Sequence, residues 1–286
     1  MVVLSLSIVA RVAAAVALAG VPVVAPAAGR TPAGARAAVP AAPAAGSRPV
    51  TAVAMPQARP PVGLRPAVAA VWVSPTASRH TCSAAVLDAP GGSLVVTAAH
   101  CTGGRGTNLR ITPGYESGRR PYGTWAVVAT YVDPAWQAGA DPRRDLAVLR
   151  VAPQTIGGVR RTIASVVGGY RLGRAAPYAT PIHGYGYRAG AGDRPVGCVN
   201  RESLAWGYPT LVCGGMTGGV SGGPLVVARP TGHHLVTGVI GGLHEGGCTD
   251  AVSYSSPFGA WSDALLARAV RGGPGDVVRR ARGSGC

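Results

Sequence analysis

Lysine is absent, phenylalanine occurs once, and aromatic side chains make up only 5% of the 286 residues. A chain so poor in rings has no stripe of aromatics interleaved with basic residues, the pattern a nucleic-acid surface would need. Acidic residues are also few, 11 against 27 basic ones, and every basic residue is arginine, scattered singly or in pairs. The formal charge of +16 therefore favours adhesion to acidic surfaces over specific nucleic-acid binding. No Cys-x-x-Cys occurs, and His233-His234 stand in a polar turn, so the usual zinc spacings are missing. No metal and no cofactor are expected. Past the first 28 residues no apolar run approaches the roughly 20 residues of a bilayer span.

What is plentiful is Gly (43) and Pro (25), in a chain that is 47% hydrophobic. Many turns between short apolar elements suit an all-β protein better than a helical bundle. After Arg11, the apolar run from Val12 to Val24 and the small residues Ala25-Pro26-Ala27 read as an export signal over 1–28. The alternative is a membrane anchor, against which Pro22 and Pro26 interrupt the run. Residues 29–66 are mostly Ala, Pro, Gly and Arg, too poor in large apolar side chains to offset the entropy of ordering; they read as a linker or pro-segment. The folded part is expected from residue 67, with turn signals recurring at about eight to twelve residues, as in barrels and sandwiches. Ser262 to Arg271 gathers Leu265, Leu266 and Val270 on one side, a terminal helix expected to pack on the second half. Residues 272–286 read as a frayed tail.

Three segments carry chemistry, in this order: Thr97-Ala98-Ala99-His100-Cys101, then Asp145-Leu146-Ala147-Val148-Leu149, then Gly219-Val220-Ser221-Gly222-Gly223-Pro224. Taken singly, each has a bland reading: a core histidine, a solvated turn aspartate, a flexible glycine turn. Together they supply a base, its orienting acid and a nucleophile. Ser93 to Ala99 reads as a buried strand delivering His100, and Leu146 to Val151 as a strand starting just after Asp145.

The order His, Asp, Ser and these motifs make the chain resemble a secreted bacterial trypsin-like serine peptidase of the chymotrypsin fold. The likeness extends over most of Trp72 to Trp261. Thr112-Pro113-Gly114-Tyr115, Pro121-Tyr122-Gly123-Thr124-Trp125 and Val252 to Ser256 also resemble runs of bacterial members. The resemblance implies two six-stranded antiparallel β-barrels, the first over 67–164 with His100 and Asp145, the second over 165–271 with Ser221. It implies an oxyanion hole at the backbone N–H groups of Gly219 and Ser221, and a disulfide between Cys82 and Cys101. Cys198 and Cys213 enclose a short loop and would form a second bridge, whereas Cys248 and Cys286 have no assigned partner. By analogy the substrate pocket is placed at Gly215, Gly241, Gly242 and Leu243, with no side-chain preference assigned. One departure stands out: where zymogen-activated relatives have an Asp before the nucleophile, this chain has Val220, which cannot pair with a freed N-terminus. The implied activity is that of a monomeric, exported endopeptidase acting on protein or peptide; the rival reading is a non-catalytic relative that binds at a surface or matrix.

Overall fold

The computed structural model describes residues 54–61, 66–189, 194–230, 232–281 and 283–286. The expected export signal lies outside them, as does most of the segment after it.

Small and β-branched residues dominate the first strands, β1 (Val68–Trp72), β2 (Cys82–Val86) and β3 (Leu94–Thr97), each buried along its whole length. Such runs suit strands covered on both faces. The β2–β3 connection turns at Gly91 and Gly92, whose φ angles of 81° and 60° lie in the left-handed region, where glycine carries no Cβ penalty. With β4 (Arg110–Pro113), β5 (Trp125–Val132) and β6 (Ala147–Val151) these strands close a barrel in the order β1-β2-β3-β6-β5-β4. A short helix, α1 (Pro134–Gly139), is capped by the Asp133 side chain, which accepts from the Ala135 N–H at 2.8 Å.

One register matters for the site. The β3–β6 ladder pairs Thr97 with Ala147. Because the strands are antiparallel, the residues just after Thr97 and just before Ala147 emerge at the same end of the barrel. His100 and Asp145 therefore meet by construction.

A hairpin of β7 (Gln154–Ile156) and β8 (Val159–Arg161) and helix α2 (Ile163–Val167) lead into the second half. It contains β9 (Arg171–Leu172), β10 (Pro181–Tyr187), β11 (Pro195–Arg201), β12 (Ser203–Ala205), β13 (Tyr208–Val212), β14 (Pro224–Val227), β15 (Leu235–Val239) and β16 (Val252–Tyr254). The chymotrypsin-type architecture is present, but this half does not close as a hydrogen-bonded ring of six among the described residues. It forms a five-stranded sheet, β11-β10-β14-β15-β9, and a three-stranded sheet, β12-β13-β16. The two are linked by the Cys198–Cys213 disulfide, by Asn200 Nδ2 donating to the Val212 carbonyl at 2.7 Å, and by the Gly241 N–H after β15 donating to Tyr254 O of β16 at 2.9 Å. Pro209 in β13 has no N–H to give, and β12 and β16 are only three residues long.

Three further features differ from the sequence reading. Part of the Ala/Pro-rich segment is anchored: Ala58 N–H donates to Gly214 O at 2.7 Å, and Arg59 and Gly197 exchange hydrogen bonds at 2.9 and 2.7 Å. Backbone pairing, which composition does not register, holds it on the second half. The last helix, α3 (Ala260–Arg271), packs on the first barrel instead of the second, with Leu265 and Ala269 buried in that core. The cause lies on its other residues, since Arg268 donates to Val132 O at 3.3 Å and lies over the Tyr131 ring. The described part of the expected tail, 272–281 and 283–286, does not fray: Asp276 and Val278 are hydrogen-bonded to the first barrel and Cys286 closes a disulfide to Cys248.

Candidate active site

His100 sits in a single 3-10 turn, Ala99–Cys101, directly after β3. The adjacent Cys82–Cys101 disulfide ties this turn to the start of β2, as the resemblance implied. Asp145 follows a second such turn, Pro142–Arg144, whose start is capped by Asp141 accepting from the Arg143 N–H at 2.8 Å. A proline at the first position of that turn loses no hydrogen bond there.

Asp145 is fully buried, and a buried carboxylate is tolerable only if hydrogen bonds satisfy it. Its Oδ2 accepts from His100 Nδ1 at 2.7 Å and from the Gly242 N–H at 2.7 Å, while Oδ1 accepts from the His100 backbone N–H at 2.9 Å. The Asp145 N–H donates to Ser256 Oγ at 2.9 Å, and that hydroxyl donates to Pro142 O at 2.8 Å. Burial pushes the Asp145 carboxyl up, but the His100 ring beside it and the donated bonds outweigh that and hold it below the ordinary carboxylate value. For His100, burial pulls downward, and the attraction of Asp145, its hydrogen bond and the more distant Glu245 carboxylate together lift it above the ordinary value. An ionised Asp145 can only accept, so the proton of neutral His100 resides on Nδ1 and the lone pair on Nε2.

Ser221 lies between β13 and β14, in a segment pinned to both halves. The Gly222 N–H donates to Ile240 O at 2.7 Å, and the Ser83 N–H of β2 donates to Ser221 O at 2.7 Å. A Cβ on Gly222 would fall 2.1 Å from Thr97 Oγ1 and 2.9 Å from the Ala98 nitrogen, so the nucleophile segment rests against the strand end that carries His100. Ser221 Oγ and His100 Nε2 are not hydrogen-bonded to each other among the described residues. Such bonds often tighten only when substrate is present.

Two backbone donors stand out beside Ser221. The N–H groups of Val220, Gly222 and Gly223 are all spent on carbonyls, whereas those of Gly219 and Ser221 have no acceptor among the described residues. Gly219 has φ 96°, and a Cβ there would meet the Ala189 nitrogen at 2.3 Å; only glycine fits. Its carbonyl accepts from Ser83 Oγ at 2.9 Å, and the same hydroxyl accepts from the Tyr187 N–H at 2.8 Å. Val220 is buried, with Met216, Leu225 and Ile240 in the core of the second half.

The residues expected to line the substrate pocket are dispersed. Ser221 opens on a cavity of about 290 Å³ walled by Met216, Ile240, Gly246 and Cys248, with Glu245 and Asp250 as its charged members. Gly215 is not on that wall; its Cβ position faces Arg188 and Ala58. Gly241 faces Asp145, with a Cβ position 2.8 Å from Oδ2, and Gly242 supplies the N–H described above. Gly242 and Leu243 line a separate cavity of about 300 Å³ with Trp136 and Pro142. His100 opens on a third, of about 780 Å³, which Glu245 also borders. Sequence reasoning missed Ser83 and Ser256, small polar residues in or beside strand-like runs, which carry no local signal. Among the described residues, two His/Cys groupings are close enough to suggest a metal, Cys82-His100-Cys101 and His244-Cys248-Cys286; each contains a disulfide, whose sulfurs offer no thiolate.

Residues 57–259 match the family model described as Trypsin. The chain belongs to the trypsin family. As a trypsin-like serine peptidase it shares its fold with solved structures of low identity. Protease Anisep from Arthrobacter nicotinovorans is 24% identical, with a TM-score of 0.62 over 76% of this chain and 99% of that one. The thermostable serine protease AL20, from an extremophilic microorganism, is 24% identical, with a TM-score of 0.60 over 73% of this chain and 99% of the other. Human heparin binding protein is 19% identical, with a TM-score of 0.58 over 78% of this chain and 100% of its own. A search of curated protein sequences gave no match.

Proposed function

We propose that this chain is an exported serine endopeptidase that cleaves peptide bonds in proteins or peptides through an acyl-enzyme on Ser221. The observation that carries the reading is the hydrogen bond of His100 Nδ1 to a buried, multiply held Asp145 at 2.7 Å, which leaves Nε2 as the basic nitrogen. In this mechanism Nε2 takes the Ser221 proton as Oγ attacks the scissile carbonyl carbon, and Asp145 stabilises the imidazolium. The oxyanion of the tetrahedral intermediate accepts from the Gly219 and Ser221 N–H groups; losing one such donor typically costs about 10²–10³ in rate. His100 then protonates the leaving amine, and a water repeats the sequence to release the acyl group. No cofactor enters.

A fold shared with a protein named for binding heparin does not by itself imply peptide cleavage; three side chains and two N–H groups carry the activity. Three disulfides suit an oxidising compartment, in keeping with a cleaved leader over 1–28. Val220 supports a peptidase whose activity needs no single freed N-terminus; the proposed enzyme acts as a monomer. Digestion of a peptide library by the purified protein tests the reading and shows the preferred cleavage residue at once. Ser221→Ala should lose about a millionfold in turnover while remaining folded; equal digestion by both proteins would refute the mechanism.

A further inference from the structure

After α3 the chain does not leave the molecule. Asp276 docks on β5, its N–H donating to Thr130 O at 2.7 Å and its Oδ2 accepting from the Val132 N–H at 2.9 Å. Val278 and Gly104 exchange backbone hydrogen bonds at 2.6 and 3.0 Å, and Gln137 holds Val277 O and the Arg279 N–H, both at 2.9 Å. Arg280, Ala281 and Gly283 then form part of the wall of the cavity that His100 opens on. Next, Ser284 O accepts from His244 Nδ1 at 2.9 Å, and Cys286 closes the disulfide with Cys248.

Cys248 belongs to the wall of the cavity that Ser221 opens on. The segment thus borders the cleft on the His100 side and is bonded to the pocket on the Ser221 side. Between these attachments runs Leu243–Gly246, where His244 and Glu245 have φ angles of 53° and 54°. Two successive non-glycine residues in the left-handed region persist only where their surroundings over-determine them. Here the determinants are the Gly242 N–H bond to Asp145 on one side, and the His244–Ser284 bond and the disulfide on the other.

We propose that Asp276–Ala281 and Gly283–Cys286 act as a positioning strap: tied through Cys248–Cys286, they hold the pocket loop 243–248 in its binding shape and extend the cleft, so that they govern the binding of extended peptides and not the chemistry at Ser221. The clause about substrate rests on the peptidase reading above; the clause about the loop does not.

The test uses the whole protein and Cys286→Ser. Hydrogen exchange over 243–250 should accelerate at least tenfold in the variant, while amides of β10 and β14 stay protected. KM for an octapeptide substrate should rise about tenfold, whereas kcat for a single-residue ester and the rate of fluorophosphonate labelling stay within twofold. Mild reduction of the wild-type protein by a dithiol should reproduce both effects without mutation. That exchange yields two protein thiols and the cyclic disulfide of the reagent. Cys248 and Cys286 are exposed, whereas the other four cysteines are at most 7% exposed. Unchanged exchange at 243–250 would overturn the strap whether or not the protein hydrolyses peptides. So would a parallel loss of ester turnover and labelling, which would mark general destabilisation. A wild-type protein that neither labels nor cleaves would instead overturn the peptidase reading, and the clause on peptide binding with it.

Discussion

Gly241→Ala separates two accounts of one residue. By resemblance Gly241 belongs to the substrate wall, where an added methyl group would narrow the pocket and raise KM. The structure sets its Cβ position 2.8 Å from Asp145 Oδ2 and 3.1 Å from Ala98 Cβ. No positive φ is involved, so the effect is one of space alone. The carboxylate must retreat by roughly half an ångström to regain ordinary contact, against three hydrogen bonds of 2.7 to 2.9 Å that fix it to His100 and Gly242. A misplacement of about 1 Å can cost about 10²-fold, so kcat should fall roughly ten- to a hundredfold, equivalent to about 1.4–2.7 kcal/mol at the transition state. Crowding should also lower stability by about 1–3 kcal/mol, which a domain of ordinary stability survives. Steady-state kinetics on one peptide substrate, with a denaturant melt of the same preparation, measures all three quantities. A raised KM with kcat untouched would return Gly241 to the substrate wall.

Ser83→Ala should be costly although Ser83 touches no substrate. It strands the buried Tyr187 N–H and Gly219 O, each worth about 1–3 kcal/mol when left unpaired, so urea melts should show a loss of about 3 kcal/mol together with slower labelling of Ser221. A variant as stable as the parent would show that this link between the halves is not needed. The pH profile of kcat/KM supplies another check. Since neutral His100 is the active form and its titration is raised above the ordinary 6.5, the acid limb should fall above that pH. Glu245→Gln removes one of the raising charges and should move the limb to lower pH; a limb that does not move would deny Glu245 any influence on the imidazole.

The parts of the site legible in the sequence are those whose information is local. Thr97 to Cys101 and Asp145 to Leu149 are strand ends read from contiguous residues, and the β3–β6 register brings them together. Gly219 came from the resemblance, and what demands glycine there was not local: its φ is 96° and a Cβ would meet the Ala189 nitrogen at 2.3 Å, 30 residues away in the chain. Ser83 and Ser256 were not legible, since each acts through partners 100 or more residues away. That Gly241 and Gly242 face Asp145 was hidden for a related cause. Analogy locates a residue along the chain, but whether its backbone faces substrate or Asp145 is decided by packing. Cys248 and Cys286 illustrate the same limit, because six cysteines admit many pairings and the docking of Asp276 and Val278 on the first barrel brings this pair together. Composition likewise could not show that Pro56 to Arg59 adds backbone hydrogen bonds to Gly197 and Gly214.

Reaction with a fluorophosphonate followed by peptide mass mapping asks whether Ser221 is an activated nucleophile. One residue should be phosphonylated, Ser221, with labelling abolished in Ser221→Ala and strongly slowed in Asp145→Asn. An unmodified protein, or an adduct elsewhere that persists in Ser221→Ala, would contradict that role.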